Sequence, residues 1–513
     1  MVDPAESSGE ARSPRREEER LAALLALVGL VAAALVYFVT LDRHGLWFDE
    51  IRTALAVELP FGEMVAERLG HAHPPLFFAL QWLLVRAVDG PDALLRVVPA
   101  LFGLVSAVLL FALGRRVAGP WIGAVATLLL LVSPHHVEIS QMARAYTLVQ
   151  ALLLTATLVL VRAERDSWRL AAAFALPATL AAWAHYSALP VIAAQALACW
   201  IAGRRRASLG GLVATFLATP FVLATSRLTT VEERVGWVDR QPGETWLDLF
   251  AYPFVRFGGA LPTGGVLAVA VGVLALGIVG AAGLRRGNGL LVSVWLLPPV
   301  LLGLGALVGL PPVDEVARYL ATSWAVGTLL VAASLHTHRG LRRLIPAGAL
   351  AGLVALAVPQ TLRYVETSTH WPARQVARIV MAHRRPSEVL VLQPRPDYYM
   401  VMAYHYDEDF YRLLPPGRRR FAEAVRGPSG GPGPDVDGIW LYSRSAYFPG
   451  RLDRPRWRAL RRRLPEMEIW PVRQGTLVHF WREAGAATGE TPERDDGTPA
   501  APQDPGEQAT DGR

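Results

Sequence analysis

The sequence predicts a polytopic α-helical membrane protein of about eleven transmembrane helices with a small C-terminal α/β soluble domain. Three observations predict it. Of the 513 residues, 52% are hydrophobic and only 19% are charged. The apolar residues gather into runs of roughly twenty, the length that spans a bilayer core. The arginines lie beside those runs rather than in a patch of their own, as membrane topology requires.

The first run, 21–41, follows an arginine-bearing segment and shows no small-residue cleavage site, so it reads as a retained signal anchor behind a cytoplasmic segment, 1–20. Further membrane helices are expected near 94–114, 120–134, 145–162, 168–185, 187–203, 208–227, 260–284, 289–310, 317–336 and 344–364. With the N-terminus inside, the inner loops carry Arg115 and Arg116; Arg162, Arg165 and Arg169; Arg204, Arg205 and Arg206; Arg285 and Arg286; and Arg339, Arg342 and Arg343. Every dense cluster between helices then falls on the cytoplasmic face.

The stretch 74–88 is apolar but too short to span, and it carries Gln81, Trp82 and Arg86. It reads as an interfacial amphipathic helix; counting it as a span would move every later arginine cluster outside. Residues 42–92 are thus one long outer loop within a transmembrane domain of 21–365. The other outer segments are 133–144, 228–260, 311–316 and everything after 365. Residues 366–484 open with an amphipathic helix, 373–383, and continue with strand-like runs at 388–392, 438–442 and 476–481, so an extracytoplasmic α/β domain is expected there. From 485 to 513 the chain is rich in Gly, Pro, Thr, Asp and Glu and reads as a disordered tail.

The net charge of +7 contains no lysine. Arginines beside apolar runs fit a membrane rather than a nucleic-acid partner. The one cysteine, Cys199, lies in an apolar run, so neither a disulfide nor a thiolate metal site forms within one chain. No phosphate-binding glycine loop or nucleotide fingerprint occurs, and a cytosolic nucleotide-using enzyme has no support.

Candidate chemistry lies in the outer loops. Asp49 and Glu50 follow Trp47 and Phe48, and His71, His73, Pro74, Pro75 and Leu76 come later in the same loop. Adjacent carboxylates at the membrane surface supply a general base or a cation site; the plainer alternative is an interfacial tryptophan anchor followed by solvated acids. Arginine stands at three outer helix ends: Arg96, Arg144 with Tyr146 two residues on, and Arg318 beside Tyr319. Snorkelling explains each alone. All three on the face that holds Asp49 and Glu50 point to a convergent anionic site, and guanidinium suits phosphate. His135, His136 and Glu138 lack a third ligand at fixed spacing and read as an interfacial loop rather than a metal site. Asp314 and Glu315 read as a helix cap, and His185 with Tyr186 as packing at an outer turn.

At these residues the chain resembles the GT-C superfamily of membrane glycosyltransferases, in the branch of dolichyl-phosphate-mannose protein mannosyltransferases and bacterial aminoarabinose transferases. The resemblance runs from the first helix to about residue 365. Its landmarks are Trp47, Asp49 and Glu50; His73, Pro74, Pro75 and Leu76; Ala143, Arg144 and Tyr146; and Arg318 with Tyr319. It implies a multi-pass plasma-membrane protein of the cell envelope that transfers a hexosyl or pentosyl group, with inversion, from a polyprenyl-phosphate donor to a glycan, lipid or protein acceptor at the outer face. Asp49 matches the family's catalytic acid, and Glu50 would orient it or the acceptor. Arg144 and Arg318 would hold the lipid phosphate with Tyr146 and Tyr319 in support, and Arg96 and His73 are further substrate-binding candidates. The implied chemistry needs no cofactor; a divalent metal is compatible with it but not signalled. The chain departs from the family in having no lysine, so phosphate roles filled elsewhere by lysine fall to arginine. Its C-terminal domain matches only loosely. Two other classes share some features: a transporter or lipid flippase, which would place ionisable groups near mid-membrane, and a non-catalytic membrane protein presenting its C-terminal domain.

Overall fold

A computed structural model describes residues 12–43, 45–90, 92–228, 246–255, 263–284, 287–307, 317–337, 340–366, 373–383, 385, 388–393, 438–443, 461–462, 464–472 and 475–482. By contacts the chain forms two units, Met1–Arg374 with Asp397–Tyr411, and Gln375–Pro396 with Arg412–Arg513. The expected helix cap at Asp314 and Glu315, the outer segment 311–316, most of 228–260, Arg285, Arg286, Arg339 and the tail 485–513 lie outside the described residues.

The elements described in the first unit are all helices. Helix α1 (Arg12–Val39) leads into three helices of the first loop, α2 (Phe48–Glu58), α3 (Phe61–Gly70) and α4 (Leu76–Ala87). There follow α5 (Val97–Val117), α6 (Pro120–Val132), the short α7 (Pro134–Ser140), α8 (Tyr146–Arg162), α9 (Trp168–Ala184), α10 (Ala188–Ile201), α11 (Arg205–Leu228), α12 (Thr263–Gly283), α13 (Asn288–Leu307), α14 (Ala321–Ala333) and α15 (Leu344–Glu366), while α16 (Ala373–His383) falls almost wholly in the second unit. Exposed apolar side chains such as Leu35 on α1, Ile201 on α10 and Phe216 on α11 form surfaces suited to lipid. The chain is a multi-pass membrane protein.

Among the described residues, six helices are long and apolar enough to cross a membrane, or seven if the pair Pro120–Val132 and Pro134–Ser140 counts as one bent span. That is fewer than the eleven the sequence suggests, and the reason is helix length. The run near 187–203 yields a helix of 14 residues, and those near 145–162 and 168–185 yield helices of 17; at 1.5 Å per residue these reach about 21–26 Å, short of a hydrocarbon core of about 30 Å. The run near 120–134 continues past its expected end but turns by 68°. Pro134 lacks the N–H that would continue α6, while the Ser133 hydroxyl accepts from His136 N–H at 3.4 Å and donates to the Pro253 carbonyl at 2.6 Å, which fixes the corner.

Small residues let the long helices approach closely. A Cβ on Gly114 of α5 would lie 2.6 Å from the Gly123 Cα of α6, so only glycine fits that crossing. Buried amides and hydroxyls are bonded across helices as burial demands: Gln195 donates to the Leu153 carbonyl and the Thr157 hydroxyl, and Ser323 to the Val294 carbonyl.

The first loop is more ordered than one interfacial helix would make it. Helix α4 covers the expected amphipathic stretch; its Phe77, Phe78 and Gln81 are buried, and Gln81 donates to the Leu95 carbonyl at 2.6 Å. Trp82 donates to the Leu59 carbonyl and Arg86 to the Val57 carbonyl, which ties α4 to the end of α2.

In the second unit the sheet order is β1 (Glu388–Gln393), β2 (Gly438–Ser443), β4 (Gly475–Trp481), β3 (Glu466–Val472). The first pair is parallel and the other two antiparallel. Three of these strands fall where alternation in the sequence suggests them; the β3 run, with exposed Glu466 and Glu468 and an internal proline, reads poorly as a strand because it is an edge. Glu388 accepts from Trp440 at 2.8 Å and contacts His479 at 3.1 Å, and His479 stacks on Trp440 with ring centres 3.9 Å apart.

Candidate active site

The site is built around the start of α2. Glu50, three positions into that turn, accepts the Trp47 backbone N–H at 3.2 Å and so caps the helix from within. The same carboxylate is bracketed by Arg96, with Nε to Oε1 at 2.7 Å and Nη2 to Oε2 at 2.6 Å, and it takes the Ala143 N–H at 2.8 Å. Arg96 also donates to the Leu41 and Gly45 carbonyls. Glu50 is 1% exposed and Arg96 4%. Three separate pieces of chain, the end of α1, the start of α2 and the turn before α8, are thereby tied to one buried ion pair. Arg96, a substrate-binding candidate from the sequence, has its guanidinium bonded to Glu50 and two backbone carbonyls.

Asp49 is the neighbour that stays accessible. Its side chain is 21% exposed, and Oδ2 lies 3.7 Å from Arg318 Nη1. Arg318 lies over the Trp47 and Tyr319 rings at 5.6 Å each. The backbone around Asp49 is held by Thr53, whose hydroxyl contacts the Asp49 carbonyl at 3.1 Å and the Ala143 carbonyl at 3.2 Å.

The Glu50 contact to Ala143 sets the position of Arg144. That guanidinium is 4% exposed. Its Nη2 lies 3.0 Å from His73 Nε2. Arginine keeps its proton, so His73 Nε2 is the acceptor and the ring is neutral, with its proton on Nδ1. Burial, aided by the adjacent Arg144 charge, pushes the His73 imidazole well below its usual range. Burial alone would lower the Arg144 guanidinium too, but the Asp49 carboxylate together with Tyr146 and Tyr319 offsets this and leaves it raised. Arg144 Nη1 is buried and has no hydrogen-bond partner among the described residues. His73 is presented by a tight turn in which Ala72 takes φ +63°, a left-handed conformation that costs a non-glycine residue on the order of 1 kcal/mol.

An aromatic wall closes the other side. Tyr146 stands 6.0 Å from Tyr319 and 5.5 Å from His185, and His185 stacks on Tyr319 at 5.3 Å. Gln150 of α8 donates to the Ala321 carbonyl at 2.7 Å, which locks the Tyr146 turn to the Tyr319 turn. Asp49, Glu50, His73, Arg96, Arg144, Tyr146, Arg318 and Tyr319 are thus one connected set. His185, read from sequence as packing, joins it through His73 and Tyr319. Among the described residues no group of three or more His, Cys, Asp or Glu is arranged to hold a metal. His135, His136 and Glu138 are buried in α7 instead.

Residues 72–228 match the family model of dolichyl-phosphate-mannose-protein mannosyltransferase. The fold is similar to that of ArnT from Cupriavidus metallidurans bound to undecaprenyl phosphate, with a TM-score of 0.50 and 12% identity over 88% of this chain and 97% of that one. The apo crystal structure of the same ArnT aligns with a TM-score of 0.42 and 15% identity over 90% of this chain and 98% of that one. No curated protein matches.

Proposed function

We propose that the chain is a membrane glycosyltransferase that moves a sugar from a polyprenyl-phosphate donor to an acceptor at the outer face of the membrane, with Asp49 as general base. The observation that carries this reading is the pairing of one accessible carboxylate, Asp49, with a buried guanidinium, Arg144, whose Nη1 is open. Polyprenyl phosphate leaves as an anion, and cationic donors fixed at the phosphate stabilise the charge that grows there in the transition state. A carboxylate on the opposite side of the sugar takes the acceptor hydroxyl's proton, which gives single displacement with inversion. Arg318 lies between the two tasks, 3.7 Å from Asp49 and over the Trp47 and Tyr319 rings. Neutral His73 orients Arg144 by accepting from it, and Tyr146, Tyr319 and His185 offer a wall for the sugar or the first isoprene units.

The donor class is supported by the mannosyltransferase family match and by the undecaprenyl phosphate bound to ArnT. A flippase would explain the helices but not a family match to glycosyltransferases. The outer location rests on the arginine distribution; reporter fusions at residues 365 and 513 should both read outside, and cytoplasmic signal from either would overturn it. The reaction is tested by incubating purified protein with a panel of polyprenyl-phosphate sugars and following polyprenyl phosphate release by mass spectrometry. Release with at least one donor is expected; none with any, together with transbilayer movement of the lipids, would favour the flippase.

A further inference from the structure

Arg68 stands near the end of α3, next to Glu67. In the structure Arg68 is 1% exposed. Its Nε and Nη2 hold the Glu67 carboxylate, and its guanidinium lies 5.2 Å from the Phe78 ring centre. The remaining terminal nitrogen, Nη1, is buried with no hydrogen-bond partner among the described residues. Arg144 Nη1 is in the same condition. Both arginines meet at His73, whose backbone N–H bonds to the Arg68 carbonyl at 2.9 Å and whose ring Nε2 lies 3.0 Å from Arg144 Nη2.

Two buried guanidinium groups, each with an open N–H and each on chain that meets at His73, are an arrangement that protein atoms alone leave unfavourable and an anion relieves. Glu67 balances the charge of Arg68 without occupying Nη1, and it fixes the plane of the guanidinium. Arg318, in contrast, already leans on Asp49.

We propose that Arg68 is a phosphate-contacting residue: its Nη1 and that of Arg144 donate together to the phosphate of the polyprenyl lipid, while Arg318 serves the Asp49 side. The proposal rests on the glycosyltransferase reading for the identity of the anion. It divides the arginines between the leaving phosphate and the base, and it places part of the phosphate site in the first outer loop rather than at the helix ends.

The test is direct titration of the full chain in nanodiscs with undecaprenyl phosphate and, separately, with undecaprenol, which has the same chain and no phosphate. The wild type should prefer the phosphorylated lipid. Arg68→Gln should lose roughly ten- to a hundredfold of that preference, as Arg144→Ala should, and Arg68→Lys should fall between because it keeps the charge but not the fork. Thermal melting of each variant reports folding, and Arg68→Lys serves if Arg68→Gln does not fold. Arg68→Gln with full preference beside a weakened Arg144→Ala would overturn the role of Arg68 and leave the phosphate site standing. Equal weakening toward both lipids would make Arg68 structural and also overturn it. Full preference in both Arg68→Gln and Arg144→Ala would remove the phosphate site itself, and inorganic phosphate binding as tightly as the lipid would mark a free-anion site instead.

Discussion

Asp49 and Glu50 are adjacent in sequence and opposite in circumstance. Glu50 is enclosed by two donors from Arg96 and backbone N–H groups of Trp47 and Ala143. Asp49 keeps a fifth of its side-chain surface and one loose contact to Arg318. The two carboxylates leave the helix in different directions, so the motif divides into a partly exposed acid and a buried one that holds three segments in register. An accessible acid is a candidate base; a buried ion pair is a joint.

The largest structural effect should come from breaking the joint. Glu50→Gln leaves Arg96 buried without its counter-charge and should cost about 3–5 kcal/mol of stability. Thermal melting in nanodiscs checks it; a melting point equal to wild type would mean that the pair is not what orders the loop. Loss of activity in this variant would then follow loss of fold.

Next comes the phosphate side. Arg144→Ala removes a charge-assisted donor and should weaken donor binding by about 1.5–3 kcal/mol, roughly ten- to a hundredfold. Arg204 also bonds carbonyls, those of Leu160 and Ala163 at the end of α8, but it lies in the arginine cluster assigned to the other face. Arg204→Ala should leave donor affinity as it is. Equal effects from the two substitutions would indicate general damage.

The smallest effect is a pH dependence. The His73 imidazole is held well below its usual value in the folded chain. Above about pH 6.5 neither state carries a proton there, and stability from this group is flat. As pH falls through that value the unfolded chain takes up a proton that the folded chain refuses, so stability declines by up to about 1.4 kcal/mol per pH unit. His73→Gln should lack this component, and its stability curve should be flatter below pH 6.5. Parallel curves for the two proteins would mean that His73 titrates normally and does not serve Arg144 as a neutral acceptor.

Much of the site was legible because polar residues at the ends of long apolar runs stand out. Arg96, Arg144 and Arg318 each open a helix, and the chain has few other reasons to put a guanidinium there. What the sequence hid was the task of each. Arg96 and Arg144 look alike in the sequence, yet one closes on Glu50 and the other keeps an open nitrogen. Arg68 and His185 stayed hidden for another reason. Their neighbourhood comes from chain distant in sequence, Phe78 and Arg144 for the one and Tyr319 for the other. Fewer than eleven of the described helices are long enough to cross a membrane, because hydropathy records that a run is apolar and not where Ser133, Pro134 or His185 ends the helix.

The central claim is that Asp49 reacts while Glu50 positions. It is tested most directly by measuring single-turnover transfer and donor affinity side by side for Asp49→Asn, with folding verified by melting. That change keeps size and hydrogen bonding but removes the base. Transfer should fall by about a hundred- to ten-thousandfold while donor affinity and melting temperature stay near those of wild type. Near-normal transfer by Asp49→Asn would contradict the account.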